Sequence, residues 1–376
     1  MLSGKVVYIY KKELIEHCNK LPSMENRASL VQDLIMNYKL LSHPNVSVVE
    51  SSDASQEALK SFHSTDYVDL LKSLNYFDSS LDNIEEKHLE YGLAYDCPIF
   101  SNIYDFATCI AGGSLSAARL LAAEKCRTVI NWFGGWHHAQ RDSASGFCYI
   151  NDIVIAIQFM SKTFSRILYV DLDIHHGDGV QNAFEYSNKI LTLSFHKHCA
   201  GFFPNTGGLK DIGKGRGQYY SINIPLMDGV GDKTFTKVFE EVFPMVCESY
   251  KPQAVVVQCG ADGLNGDPVG QCNLTLKGFD GCIQAILACD LPRLFLGGGG
   301  YNFPNTARLW THLTSLIIGE ELDNDIPGDT KYFCDYAPSY ELHIEEGRKK
   351  DCNTPDYIKT VINTVRSHCS EICLVE

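Results

Sequence analysis

No two of the 15 cysteines in this 376-residue chain stand at C-x-x-C spacing. No stretch reaches the ~18 consecutive apolar residues of a membrane span. The opening segment MLSGKVVYIY has no long apolar run and no small-residue cleavage site, so no secretory signal is expected. These absences point to reduced, mostly buried thiols in a protein of the nucleus or cytoplasm. There the glycosylation sequons Asn45-Val46-Ser47 and Asn273-Leu274-Thr275 carry no meaning. Positive charge is also scarce: 32 Lys and Arg stand against 46 Asp and Glu, a net charge of −14. A direct nucleic-acid partner is not expected, whereas a basic partner is. Pro/Gly/Ser linkers and internal repeats are missing too. One domain over residues 1–376 is therefore expected, although the length alone allows two.

What is present is ordinary globular composition, 45% hydrophobic and 21% charged. Short β-branched runs recur at 5–10, 46–50, 127–132, 166–173, 190–196, 219–226, 254–260 and 293–301. Most are almost continuously apolar, as strands buried on both faces of a parallel sheet must be. Helical spacing falls between them, at Leu30, Val31, Leu34, Ile35, Tyr38 and Leu41, over 232–249 and over 275–289. The last 50 residues read as loops and a closing helix around Ile358, Val361, Ile362 and Val365. The alternation predicts a three-layer α/β/α fold on a mostly parallel sheet of about eight strands.

Polar clusters follow four of the predicted strands: FGGWHHA (133–139), IHHGDG (174–179), Asp262 after VVVQCG, and GGGGY (297–301). Ligands bind outside the carboxyl ends of strands in open parallel sheets, so a shared site on one rim is expected. Asp173 and His175, two apart at a strand end, would point the same way. Asp262 would close the set from a neighbouring strand. Three protein ligands with an open position are the pattern of catalytic zinc, and the mixed O/N donors also suit Fe²⁺. A cation also explains how so many carboxylates coexist. His137 and His138 are candidate bases, with Asp171 and Asp178 as the carboxylates that would each orient one of them. Tyr301, after four glycines, is a candidate donor to an oxyanion. GGGGYNF is a poor phosphate loop, since no Lys-Ser/Thr follows, and GLKDIGKG (208–215) fails at its last position. Phe147, Phe202 and Phe203 sit on loops where facing rings can wall a narrow tunnel.

The motifs GGWHHA, SGFCYIND, YVDLDIHHGDG, GFFPNTG, GAD and GGGGYN closely resemble those of the class I zinc-dependent histone deacetylases, over about residues 5–340. The resemblance implies an arginase/deacetylase-like fold and hydrolysis of acetyl-lysine in histones and other proteins. It implies Zn²⁺, or Fe²⁺ in cells, on Asp173, His175 and Asp262. His138 would be base and then acid, His137 its electrostatic partner, and Tyr301 the group that polarises the acetyl carbonyl. Gly146, Phe147 and Phe203 would line the tunnel, and Asp96 in YDCPIF would bind substrate backbone. Asp171 and Ser194 would belong to one site for K⁺ or Na⁺, and Phe184, Ser187 and Tyr220 to a second. Arg27 would sit on an inner channel.

Three positions depart from the family. Val269 stands where Leu or Met is usual, which widens the tunnel mouth and leaves acyl preference open. Pro268 and Pro304 stand where family arginines hold an inositol phosphate that bridges to a corepressor, so no such dependence is expected. The rivals are an acetylpolyamine amidohydrolase, a fatty-acyl-lysine deacylase, a binuclear manganese ureohydrolase and a catalytically dead acetyl-lysine reader. The intact Tyr301 and His138 argue against the last.

Overall fold

Eight short apolar segments form one sheet in the computed structural model, which describes residues 4–78 and 83–372. They are β1 (Val6–Tyr10), β2 (Val46–Glu50), β3 (Thr128–Asn131), β4 (Ile167–Asp171), β5 (Ile190–Lys197), β6 (Ser221–Leu226), β7 (Ala254–Gln258) and β8 (Arg293–Leu296). Every pairing among them is parallel. β3 to β8 are buried along their whole length, so both faces of the sheet are covered and the chain is three-layered. β2, at the edge, alternates between buried and open positions.

Helices supply the covering layers. The helix Asp232–Tyr250 buries Phe235, Val238, Phe239, Val242, Phe243 and Val246 at i, i+3, i+4 spacing. It packs on Leu276–Ala288 and on the closing helix Pro355–Ser370. The helix Ile103–Ala122 packs on Asp152–Met160, and Arg27–Asn37 packs on Phe303–Ile318. Among the described residues no helix is long and apolar enough to cross a membrane. All 14 cysteines among them are free thiols, and Cys373 lies outside the described residues.

Two strand ends differ from expectation. β4 stops at Asp171, and Asp173 and His175 lie in the loop beyond it. Strand alternation is therefore not what aligns them. β8 stops at Leu296, because Gly298 (φ 149°) and Gly300 (φ 131°) take the chain out of the sheet.

The strand order is β2-β1-β3-β8-β7-β4-β5-β6. The four strands followed by polar clusters, β3, β8, β7 and β4, are thus adjacent at the centre. β3 and β4 are separated by β8 and β7, and motifs more than 100 residues apart are brought onto one rim.

Candidate active site and metal centre

Asp173, His175 and Asp262 are buried, and one ligand atom from each lies within 4.8 Å of the other two. Local turns hold them: His175 N donates to Asp173 Oδ1 (3.0 Å) and Asp173 N donates to Asp171 Oδ1 (3.1 Å). Ile174 N donates to Asp262 Oδ1 (3.0 Å), which ties the β4 loop to the β7 loop. His175 Nδ1–H stands between Asp262 Oδ2 (2.8 Å) and Asp173 Oδ1 (3.2 Å). Burial lowers the His175 pKa, but the Asp262 and Asp173 carboxylates outweigh it and raise the group to about 10. Burial and the nearby Asp173 raise Asp262 to about 7.

Two buried carboxylates side by side therefore demand positive charge between them. A divalent cation meets that demand, and the donor set fits one. The glycines around the set keep space for it. A Cβ on Gly260 would meet Asp173 Oδ2 at 2.0 Å, and one on Gly299 would meet Asp262 Oδ2 at 2.2 Å.

Beside this set stand two histidine–carboxylate pairs. His137 Nδ1 donates to Asp171 Oδ2 at 2.8 Å, and His138 Nδ1 donates to Asp178 Oδ1 at 2.7 Å. The two rings lie 4.0 Å apart. Their environments drive them in opposite directions. Burial lowers the His137 pKa, but Asp171 and Asp173 outweigh it and raise the group to about 9. Burial and the charge of His137 lower His138 to about 4, against the pull of Asp178. One imidazole is thus held cationic and its neighbour neutral, a division of acid–base roles by environment. His176, the second histidine of IHHGDG, is not part of this group. Its nitrogens face Thr206 Oγ1 (2.8 Å) and Gln181 Oε1 (3.0 Å).

A cavity of about 170 Å³ leads to the site, lined by Asp96, His138, Gly146, Phe147, His175, Phe203, Val269 and Tyr301. Phe147 lies 5.4 Å from the Tyr301 ring, and Phe203 meets His138 edge-on at 4.9 Å. Gly146 (φ 54°) is required here, because a Cβ would meet His138 at 2.6 Å and Phe203 at 2.9 Å. Asp96 Oδ2 accepts from Gly146 N at 2.7 Å on the exposed rim. Phe202 is not a tunnel wall, since its ring stacks on His175 at 4.9 Å. Burial, then Asp262 and Asp173, raise the Tyr301 phenol well above its usual pKa, so it stays a donor.

Arg27 is buried and donates to Gly298 O and Gly300 O, both at 3.0 Å, in the glycine loop that precedes Tyr301. Asp171 and Ser194 are register partners on β4 and β5. Phe184 and Ser187 share one turn, in which Ser187 N donates to Phe184 O (2.8 Å). Tyr220 precedes β6, and its carbonyl accepts from Thr192 N (2.9 Å). A larger cavity of about 460 Å³ between the helices Leu276–Ala288 and Phe303–Ile318 shares no residue with the site.

Three further site residues are not singled out from the sequence, although Asp152 closes the motif SGFCYIND. Gln258, at the end of β7, donates from Nε2 to Asp173 Oδ2 (2.8 Å) and accepts from Gly260 N (2.7 Å). Asp152 accepts from Gly135 N (3.0 Å) and Trp136 N (2.9 Å), fixing the turn before the histidine pair. Asp267 ties two loops of the rim. Each also reaches a partner outside its own turn, and local spacing cannot reveal that.

The histone deacetylase domain family matches residues 21–317. Histone deacetylase 8 of Xenopus tropicalis is 44% identical over 367 residues, covering 97% of this chain and 98% of that protein. Histone deacetylase 8 of Danio rerio is 42% identical, over 98% of this chain and 96% of that protein. Type-1 histone deacetylase 1 of Dictyostelium discoideum is 39% identical, over 96% of this chain and 72% of that protein.

Proposed function

The chain belongs to the histone deacetylase family, in class I, and from that premise we propose how its residues carry out the hydrolysis of acetyl-lysine. The enzyme is metal-dependent, with Asp173, His175 and Asp262 as our assigned ligands. The metal assigned is Zn²⁺, with Fe²⁺ as the cellular alternative. Held by these residues, a divalent ion would supply Lewis acidity toward the acetyl carbonyl and a water.

The remaining steps belong to the protein. The aromatic rings of Phe147 and Phe203 wall the tunnel against water and hold the aliphatic stem of the lysine. Asp96 at the rim accepts substrate backbone N–H groups. His138 Nε2, neutral because burial and His137 depress it, takes the proton of the attacking water. Asp178 keeps the other nitrogen protonated and the ring in register. The same Nε2 then returns the proton to the departing lysine amine. His137, held cationic by Asp171, and the Tyr301 hydroxyl stabilise the oxyanion. The observation that carries this reading is the buried donor triad standing beside two histidine–carboxylate pairs of opposed basicity.

We assign the whole chain to one catalytic domain. Arg308 supports this, since it donates to Tyr336 O (3.0 Å) and Glu341 O (2.8 Å), beyond the family match. Asp171 with Ser194, and Phe184, Ser187 and Tyr220, are the residues we assign to structural K⁺ or Na⁺. The substrates we expect are acetylated histone tails and other acetyl-lysine proteins, met in the nucleus and cytoplasm, with no inositol-phosphate-dependent corepressor. Val269 at the tunnel mouth favours a second activity on longer acyl-lysines, because its side chain is shorter than the Leu or Met usual there. Assaying acetyl-peptide, long-acyl-peptide and acetylpolyamine side by side tests these readings. Hydrolysis of the acetyl-peptide at the highest kcat/KM supports the deacetylase assignment, and preference for acetylpolyamine refutes it.

A further inference from the structure

Asp267 is buried in the turn after β7, outside the donor triad, and its two oxygens accept four backbone N–H groups. Oδ2 accepts from Tyr301 N (2.7 Å) and Asn302 N (3.2 Å). Oδ1 accepts from Val269 N (2.8 Å) and Gly270 N (3.0 Å). The first pair belongs to the loop after β8 and the second to the rim of the tunnel. A local turn explains the second pair only. The first pair lies more than 30 residues away in sequence, and a carboxylate is the one side chain that can satisfy all four donors.

The loop that carries Tyr301 needs such a tie. Gly298 and Gly300 have positive φ, and nothing in their own chemistry fixes where the next residue stands. The peptide joining Gly300 to Tyr301 is instead held at both ends. Its carbonyl oxygen accepts from the Arg27 guanidinium at 3.0 Å, and its N–H donates to the Asp267 carboxylate at 2.7 Å. Opposite charges thus grip the two ends of one peptide dipole. A shift of about 1 Å in a positioned group can cost a hundredfold in rate.

We propose that Asp267 is a positioning residue for deacetylation: it fixes the Tyr301 hydroxyl through the Gly300–Tyr301 peptide and, with its other oxygen, shapes the Val269 rim. The proposal rests on Tyr301 as oxyanion donor. It gives Asp267 two separable effects. The Tyr301 arm acts on kcat and vanishes when the hydroxyl is gone. The Val269 arm acts on substrate binding and does not depend on that hydroxyl.

A double-mutant cycle tests this, with kcat, KM, metal content and melting temperature measured on wild type, Asp267→Asn, Tyr301→Phe and the double variant. Asparagine turns one acceptor oxygen into an NH₂ that faces two N–H donors. The single Asp267→Asn variant is expected to lose at least tenfold in kcat with its metal retained. In the Tyr301→Phe background the same change is expected to cost less than twofold in kcat, while KM rises by the same factor in both backgrounds. Costs in kcat that multiply, or a single variant with normal kcat, overturn the proposal while leaving Tyr301 as donor. A Tyr301→Phe variant with normal kcat overturns both. If Asp267→Asn does not fold, Asp267→Glu, which keeps the charge but displaces the oxygens, takes its place in the cycle. Failure of both to fold shows a purely structural residue and also overturns the proposal.

Discussion

Replacing Tyr301 by phenylalanine removes one oxygen from the site and little else. The ring keeps its contact with Phe147 at 5.4 Å, so the tunnel wall is preserved and KM should hold within about twofold. The hydroxyl is not one of the three ligands assigned, so metal content should be unchanged. On the proposed mechanism, what is lost is a hydrogen bond to charge that develops only in the transition state. Burial and the neighbouring Asp262 and Asp173 hold the phenol protonated, so the wild type offers this donor across the working pH range. Losing one such donor in a water-excluded site costs about 10²–10³ in kcat, or about 2.7–4 kcal/mol. The assay is steady-state hydrolysis of an acetyl-lysine peptide, with elemental analysis of the same preparation. A kcat within about threefold of wild type, with metal bound, would remove Tyr301 from the mechanism. A large loss accompanied by loss of metal would assign the residue to the metal site instead.

Asp173→Ala and Asp262→Ala are each expected to lose both metal and activity, and full metal by elemental analysis in either variant excludes that residue as a ligand. His138→Ala should lose more activity than His137→Ala, with metal retained in both; equal or reversed losses in matched kinetics refute the single-base reading. Raising pH through about 9 takes the proton from His137, so kcat should fall on that alkaline limb, and His137→Asn should flatten the limb in a pH–rate profile. Inositol hexaphosphate should not stimulate the enzyme, because Pro268 and Pro304 carry no charge to bind it. Saturable activation at micromolar concentration in a titration would contradict this.

The eight strands were legible because burial on both faces forces continuous apolar runs that stand out against any background. Their ends were less so. Asp173 and His175 looked like strand residues, but side-chain-to-backbone turns align them instead. The helix Ile103–Ala122 is buried along most of its circumference and contains Gly112 and Gly113, so it shows no clean polar stripe. The donor triad and the histidine pair were visible as motifs, since dense ionisable residues after apolar runs are costly without a purpose. Their convergence on one rim was expected from their places after strand ends, but the strand order that produces it was not legible. It depends on the crossover that sets β8 and β7 between β3 and β4, and that order is fixed by packing rather than by any local pattern. Gln258 and Asp267 stayed hidden for the same reason, because what distinguishes them is the distant backbone they reach.

The central claim is that one divalent ion on Asp173, His175 and Asp262 makes this chain an acetyl-lysine hydrolase. The most direct measurement titrates Zn²⁺ into metal-stripped protein while acetate release from an acetyl-lysine peptide is followed on the same sample. Activity should rise from the background rate and saturate at one ion per chain. Full activity in the stripped protein, or saturation only at two ions per chain, would contradict the account.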